Sequence, residues 1–162
     1  MKRIDCGSLV DQISKKIEER VKAETVVRLN DVRTIREPKR PAILWLIDDD
    51  DSIRRAFVRI FEGETHHIFS ASNAGEIEQI LISGAPDLIF LDIGLPWIDG
   101  FELATMMKAH RDLARVPIVF ISGRDSLETI KQGFQVGAHD FITKPFDVNV
   151  VRKTVKTLLA LG

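Results

Sequence analysis

At 162 residues, with 44% hydrophobic and 29% charged side chains, the chain suits a globular domain, or one domain with an appendage. Its single cysteine, Cys6, rules out an internal disulfide framework and fits a reducing compartment. No apolar run approaches the roughly 18–20 residues that span a bilayer, and the basic start Met1-Lys2-Arg3 lacks the apolar stretch of a secretory signal; a cytoplasmic location without membrane insertion is expected. The net charge of −1 is unevenly spread: residues 1–40 carry 11 basic against 7 acidic side chains, and residues 41–162 carry 12 against 17. The basic surplus of the first segment is interleaved with acids, which reads as a solvated helix face, and nucleic-acid contact is not expected.

In chain order, Ser8 can cap a helix, with Asp11 three residues on. Leu9, Val10, Ile13, Ile17 and Val21 recur on one face, opposite Lys15, Lys16, Glu18, Glu19 and Lys22, which predicts a helix over about 8–24. Val26, Val27 and Leu29 drift off that stripe and Val32 and Ile35 return to it, so continuation to residue 36 stays open. The prolines of Glu37-Pro38-Lys39-Arg40-Pro41 favour an extended linker. The boundary is placed there, giving a helical extension over 1–40 and a domain over 41–162.

Ala42–Ile47 is a continuous apolar run, as expected of a parallel strand buried on both faces. Helix is then predicted over Ser52–Phe61, strand over His67–Ala71, and helix over Ala74–Ile82 with Ser72 or Asn73 as its cap. A strand follows at Asp87–Leu91, a helix at Gly100–His110 and a strand at Val116–Ile121. Helix Ser126–Val136 is stopped by Gly137, and strand Asp140–Ile142 leads to a final helix, Val148–Leu161. Strict strand–helix alternation with short connections implies right-handed crossovers and a doubly wound α/β parallel sheet. In such folds the functional site lies beyond the carboxyl ends of the strands.

Those ends carry Asp48, Asp49, Asp50 and Asp51 after the first strand, Asp92 after the third, Ser122 and Gly123 after the fourth, and Lys144 and Pro145 past the fifth. Clustered carboxylates repel one another unless a cation compensates. A hard divalent ion, Mg²⁺ or Mn²⁺, suits a site of few carboxylates, waters and a phosphoryl oxygen. A carboxylate there can attack a phosphoryl group to give an aspartyl phosphate, with the metal and Lys144 beside the transferring oxygens. Taken singly, each piece has a plainer reading as helix cap, turn residue or solvated loop. Their arrival at one edge of one sheet makes four independent accidents a poor explanation.

At these residues the sequence resembles the receiver domain of bacterial response regulators, over about residues 42–161. The motifs are Leu46-Ile47-Asp48-Asp49-Asp50-Asp51, Leu91-Asp92-Ile93-Gly94-Leu95-Pro96-Trp97-Ile98-Asp99-Gly100, Phe120-Ile121-Ser122-Gly123 and Asp140-Phe141-Ile142-Thr143-Lys144-Pro145. The resemblance implies a flavodoxin-like (βα)₅ sheet with strand order 2-1-3-4-5. It implies that Asp92 is the phosphoacceptor. The metal shell is then Asp48, Asp49, Asp92 and the backbone carbonyl of Gly94, with Asp50 and Asp51 left as loop and helix-capping residues. Ser122 is the switch hydroxyl, Lys144 the ion-pair partner of the phosphoryl group, Pro145 the site of a cis bond, and Phe141 the rotating aromatic. The phosphoryl donor is expected to be a sensor histidine kinase or a phosphotransfer protein. The chain is expected to act as a switch that catalyses its own phosphorylation and dephosphorylation, not as an enzyme with a turned-over substrate. Gly94 and Gly123 leave the site open, which favours easy dephosphorylation.

Competing readings rest on single residues. A haloacid-dehalogenase-type phosphatase needs a second Asp two residues after its nucleophile, where this chain has Gly94, and no phosphate-binding Gly-x-x-x-x-Gly-Lys-Ser/Thr loop is present. A receiver fold binding partners independently of phosphorylation, and a phosphorelay intermediate, remain as alternatives. No DNA-binding output segment is legible up to Gly162, so output is expected through an unidentified downstream protein partner or through residues 1–40. For the apolar stripe of that segment, homodimerisation, docking on the receiver and partner binding stand equal. Trp45 reads as core. Trp97 reads as a loop residue that either contacts a partner or reports on the site. His66, His67, His110 and His139 show no metal-ligand spacing.

Overall fold

The computed structural model describes residues 40–161. The expected helix over 8–24, its stripe and most of the linker lie outside the described residues. Five strands, β1 (Ile43–Ile47), β2 (His67–Ala71), β3 (Leu88–Asp92), β4 (Ile118–Ser122) and β5 (Asp140–Thr143), alternate with five helices, α1 (Asp51–Ile60), α2 (Ala74–Ile82), α3 (Gly100–Ala109), α4 (Leu127–Gln135) and α5 (Val148–Leu161). All strand pairs are parallel and the order is β2-β1-β3-β4-β5, as the alternation and the resemblance imply.

The apolar runs of the central strands are explained by cover on both faces. Successive side chains of a strand point to opposite sides. Trp45, Ile47, Ile89, Leu91 and Phe120 therefore share one core with Phe101 and Met107 of α3, while Leu44, Leu46, Leu88, Phe90 and Val119 share another with Phe57 of α1 and Val151 and Val155 of α5. Phe57 meets Phe90 edge-on at 4.9 Å between ring centroids and Phe146 at 5.5 Å, favourable geometry for aromatic pairs. Trp45 is fully buried, as expected, although its indole N–H has no hydrogen-bond partner among the described residues.

Element ends differ from the sequence expectation by one or two residues, for local reasons. Pro117 has no N–H, so only its carbonyl joins the ladder, accepting from Ile89 N at 2.9 Å, and β4 begins at Ile118. Asp87 donates its N–H to Ile43 O (2.7 Å), while its carboxylate accepts from Ile43 N (2.8 Å) and Arg40 (2.7 Å), and the β1–β3 register begins at Leu88. At the other edge the strands run further: Asp92 pairs with Ile121, and Ser122 with Thr143. The acceptor candidate and the hydroxyl are therefore the last residues of strands, not loop residues after them. Asp50, Asn73, Asp99 and Ser126 cap α1 to α4, each accepting a backbone N–H in the first turn.

Gly100 carries a constraint not visible in the sequence. A Cβ at this position would lie 2.4 Å from the Asp92 carbonyl oxygen and 2.5 Å from Ile93 Cα, while its N–H donates to Ile93 O at 3.0 Å. The loop after β3 can fold back on itself only with hydrogen there. Gly100→Ala is expected to lower stability by about 1–3 kcal/mol, read by urea denaturation; a change within about 0.5 kcal/mol would contradict this packing.

Candidate functional site

Two strand ends, those of β1 and β3, supply the acidic cluster. Asp48 follows β1, and its N–H donates to Ala71 O at 3.1 Å, which extends the β1–β2 ladder by one step. The fully buried Asp48 carboxylate accepts from Asp50 N at 2.9 Å and from Lys144 Nζ at 2.6 Å. Asp92 closes β3 and is 7% exposed. Asp49 is exposed, and one carboxylate oxygen from each of Asp48, Asp49 and Asp92 lies within 4.8 Å of the others. Asp50 is not in this cluster. It caps α1 by accepting from Ser52 N at 2.8 Å, and that hydrogen bond lowers its pKa. The register chosen among the four consecutive aspartates is the one that the fold brings together.

Lys144 is the cation facing the cluster. Its Nζ lies 2.6 Å from Asp48 Oδ2 and 3.5 Å from Asp92 Oδ2. The Lys144 backbone N–H donates to Ser122 O at 2.8 Å, locking the ends of β4 and β5 together. The Lys144–Pro145 peptide is cis, as expected at that position. Burial raises the Asp48 pKa above its ordinary value of 3.8; Lys144 and the Asp50 N–H act against this, and the Asp92 charge reinforces it. Two unit charges about 4 Å apart near a protein surface interact by roughly 4 kcal/mol. One ammonium among three carboxylates therefore leaves an attractive place for a further cation.

The chemistry of that place is specific. Its donors are all carboxylate oxygens, which are hard ligands that fit Mg²⁺ or Mn²⁺. A Cβ at Gly94 would stand 3.7 Å from Asp92 Oδ2, and one at Gly123 would meet nothing within 4 Å, so neither position screens the Asp92 carboxylate. Ser122 is buried, and its Oγ accepts from Arg124 N at 3.0 Å. Its hydroxyl hydrogen is not given to any acceptor among the described residues. Phe141 is half-buried against the core containing Phe120, with ring centroids 6.3 Å apart.

With this geometry established, known proteins offer a direct comparison. The family described as the response regulator receiver domain matches residues 44–156. The chain belongs to the response regulator receiver family. It is 34% identical over 116 residues to the transcriptional regulatory protein SrrA of Staphylococcus aureus, covering 72% of this chain and 47% of SrrA. It thus spans about half the length of the curated relatives it matches. A response regulator from Chloroflexus aurantiacus superposes with a TM-score of 0.69 at 28% identity, over 75% of this chain and 99% of that one. The receiver domain of NtrX from Brucella abortus gives 0.66 at 30% identity, over 74% and 99%.

Two receiver-site features escaped the sequence reading. Trp97 is half-buried, packs on the core, and donates its indole N–H to Ser72 O at 3.0 Å, so it ties the loop after β3 to the loop after β2. Arg54 donates to the Asp48 carbonyl at 2.7 Å. No periodicity or motif marks either tie, because each depends on loops that are distant in sequence or on a side chain reaching backwards.

The buried Asp48 carries a pH signature. Its raised pKa gives the metal-free fold stability that is fully present below the ordinary value of 3.8 and lost as pH rises through the raised value. In Asp48→Asn this loss cannot occur. Measured without divalent ions, the stability of Asp48→Asn relative to wild type should increase as pH is raised through that range. A pH-independent difference would contradict the burial-driven shift.

Proposed function

We propose that this receiver is a phosphorylation-controlled binding switch in which Asp92 takes a phosphoryl group. One observation carries the reading: the nearly buried Asp92 carboxylate has Asp48, Asp49 and Lys144 around it and open space at Gly94 and Gly123 beside it. An oxygen of Asp92 attacks the phosphorus of a phosphohistidine. The P–N bond breaks, its electron pair stays on the imidazole, and an acyl phosphate forms on Asp92. The donor is a sensor histidine kinase or a phosphotransfer protein. Asp48, Asp49, Asp92 and the Gly94 carbonyl would hold Mg²⁺, which would supply positive charge to the phosphoryl oxygens.

Lys144 has a second task. Its ammonium already lies 3.5 Å from Asp92 Oδ2, so it can exchange its contact with that carboxylate for one with the new phosphoryl oxygens. Ser122 contributes a hydroxyl whose hydrogen is not engaged by any described residue. When that hydroxyl turns to the phosphoryl group, Phe141 follows into the space released, and the surface of α4, β5 and α5 changes its affinity for a downstream partner. This is a shift between two packings of one fold. Having no hydroxyl, Phe141 acts by packing alone. The protein catalyses its own modification and carries no separate turnover activity. Its place of work is the cytoplasm, and its output passes through protein contacts, homodimerisation included. For the membrane question, no helix among the described residues is long and apolar enough to cross a bilayer.

The test is incubation of wild type and Asp92→Asn with a small-molecule phosphodonor, with and without Mg²⁺, followed by intact mass. Wild type should gain one phosphoryl group only with Mg²⁺, and Asp92→Asn none. Absence of any gain in folded, Mg²⁺-saturated wild type would favour a receiver that binds its partners independently of phosphorylation. Lys144→Met should retain Mg²⁺ binding but lose at least about tenfold in phosphorylation rate.

A further inference from the structure

Arg54 stands outside the acidic cluster but controls its main chain. Its guanidinium donates to the Asp48 carbonyl oxygen at 2.7 Å and to Asp51 Oδ1 at 3.1 Å, and its side chain is 19% exposed. The Asp48 carbonyl and the Asp49 N–H belong to one rigid peptide plane. A bond that fixes the carbonyl direction therefore fixes where the chain enters Asp49. Asp48 itself has other anchors: its N–H on Ala71 O, and its carboxylate on Asp50 N and Lys144. Asp49 has none among the described residues, and it is the exposed member of the three carboxylates.

The same guanidinium also reaches the next loop electrostatically. Its charge helps to hold the Glu76 pKa down, after the larger effect of the hydrogen bonds from Ser72. Ser72 donates from both its N–H and its hydroxyl to Glu76 Oε2, and its carbonyl accepts from Trp97 Nε1. The Ser72 contacts thus tie the start of α2 to the loop that follows Asp92, with the Arg54 charge nearby.

We infer that Arg54 is a positioning residue for divalent-cation binding, acting on Asp49 through the Asp48–Asp49 peptide. The inference rests on the reading of Asp48, Asp49 and Asp92 as metal ligands. It makes a prediction opposite in sign to simple electrostatics. A guanidinium near a cation site repels the cation, so removing its charge should tighten binding. If Arg54 acts by orientation, removing it should loosen binding in spite of the lost repulsion. Residues that orient first-shell ligands commonly govern affinity by one order of magnitude or more.

The experiment is a Mg²⁺ titration of the full chain, followed by Trp fluorescence and repeated by calorimetry, on wild type, Arg54→Lys and Arg54→Met. Thermal melts without metal establish that each variant is folded. Arg54→Met should bind Mg²⁺ about tenfold more weakly. Arg54→Lys keeps the charge and a donor for the Asp48 carbonyl but lacks the planar fork whose two nitrogens reach Asp48 and Asp51, and should recover part of that loss. With a small-molecule phosphodonor, the Arg54→Met defect should appear as a higher Mg²⁺ requirement that saturating Mg²⁺ overcomes. Unchanged or tighter Mg²⁺ binding by Arg54→Met would overturn the inference while leaving the metal site standing. Should Arg54→Met prove unfolded, wild-type affinity in Arg54→Lys would do the same. Failure of wild type to bind Mg²⁺ would overturn both the inference and the metal-ligand reading beneath it.

Discussion

The Lys144 ammonium, 2.6 Å from Asp48 and 3.5 Å from Asp92, is the contact on which the site depends. Parallel strands bring carboxylates to the same sheet edge whether or not they repel. Asp48 is fully buried and Asp92 almost so, and a buried charge is tolerated only where it is paired and hydrogen-bonded. Lys144 supplies one pairing, and the Asp50 N–H supplies another acceptor bond to Asp48. What remains is excess negative charge, with Asp49 facing solvent. The domain is thereby stable enough to fold, yet left with a strong preference for added positive charge. That imbalance is what the proposed binding of a cation and a phosphoryl group draws on.

The surrounding architecture serves this contact. Lys144 reaches the cluster because β5 lies beside β4, and its own N–H is fixed on Ser122 O. The loop after β3 folds tightly because Gly100 allows its backbone to pass against Asp92 and Ile93. Trp97 and Arg54 then hold neighbouring loops from the opposite flank. A two-faced core beneath fixes the strand ends, and the carboxylates, the ammonium and the Ser122 hydroxyl stand above it. Ser122 and Phe141 sit at the border between the two, one buried at the end of β4 and the other half-buried in β5.

The sequence made much of this legible because its signals are of two robust kinds. Fully apolar runs such as Leu88–Leu91 and Ile118–Ile121 have few explanations other than central parallel strands. Charged residues placed directly after predicted parallel strands, such as Asp48 and Lys144, must lie at one edge. Asp48 and Asp49, which directly follow β1, are the two of the four aspartates that the fold gathers with Asp92. The less legible parts depend on three-dimensional approach. Gly100 looks like any glycine at a helix start, and only the contact with the Asp92 carbonyl explains it. Trp97 read as a loop residue because its partner, a backbone carbonyl at Ser72, has no sequence identity to recognise. Strand ends shifted where Pro117 has no N–H to give to the ladder and where the Asp87 carboxylate takes the Ile43 N–H.

The most direct test of the central claim is chemical trapping of the acyl phosphate at its residue. Protein treated with Mg²⁺ and a small-molecule phosphodonor is reduced with borohydride, which converts an aspartyl phosphate to homoserine, and is then mapped by peptide mass spectrometry. Homoserine at position 92, and not at positions 48 or 49, is the predicted result. Homoserine at either of those positions, or none in protein shown to be folded and Mg²⁺-bound, would contradict the account.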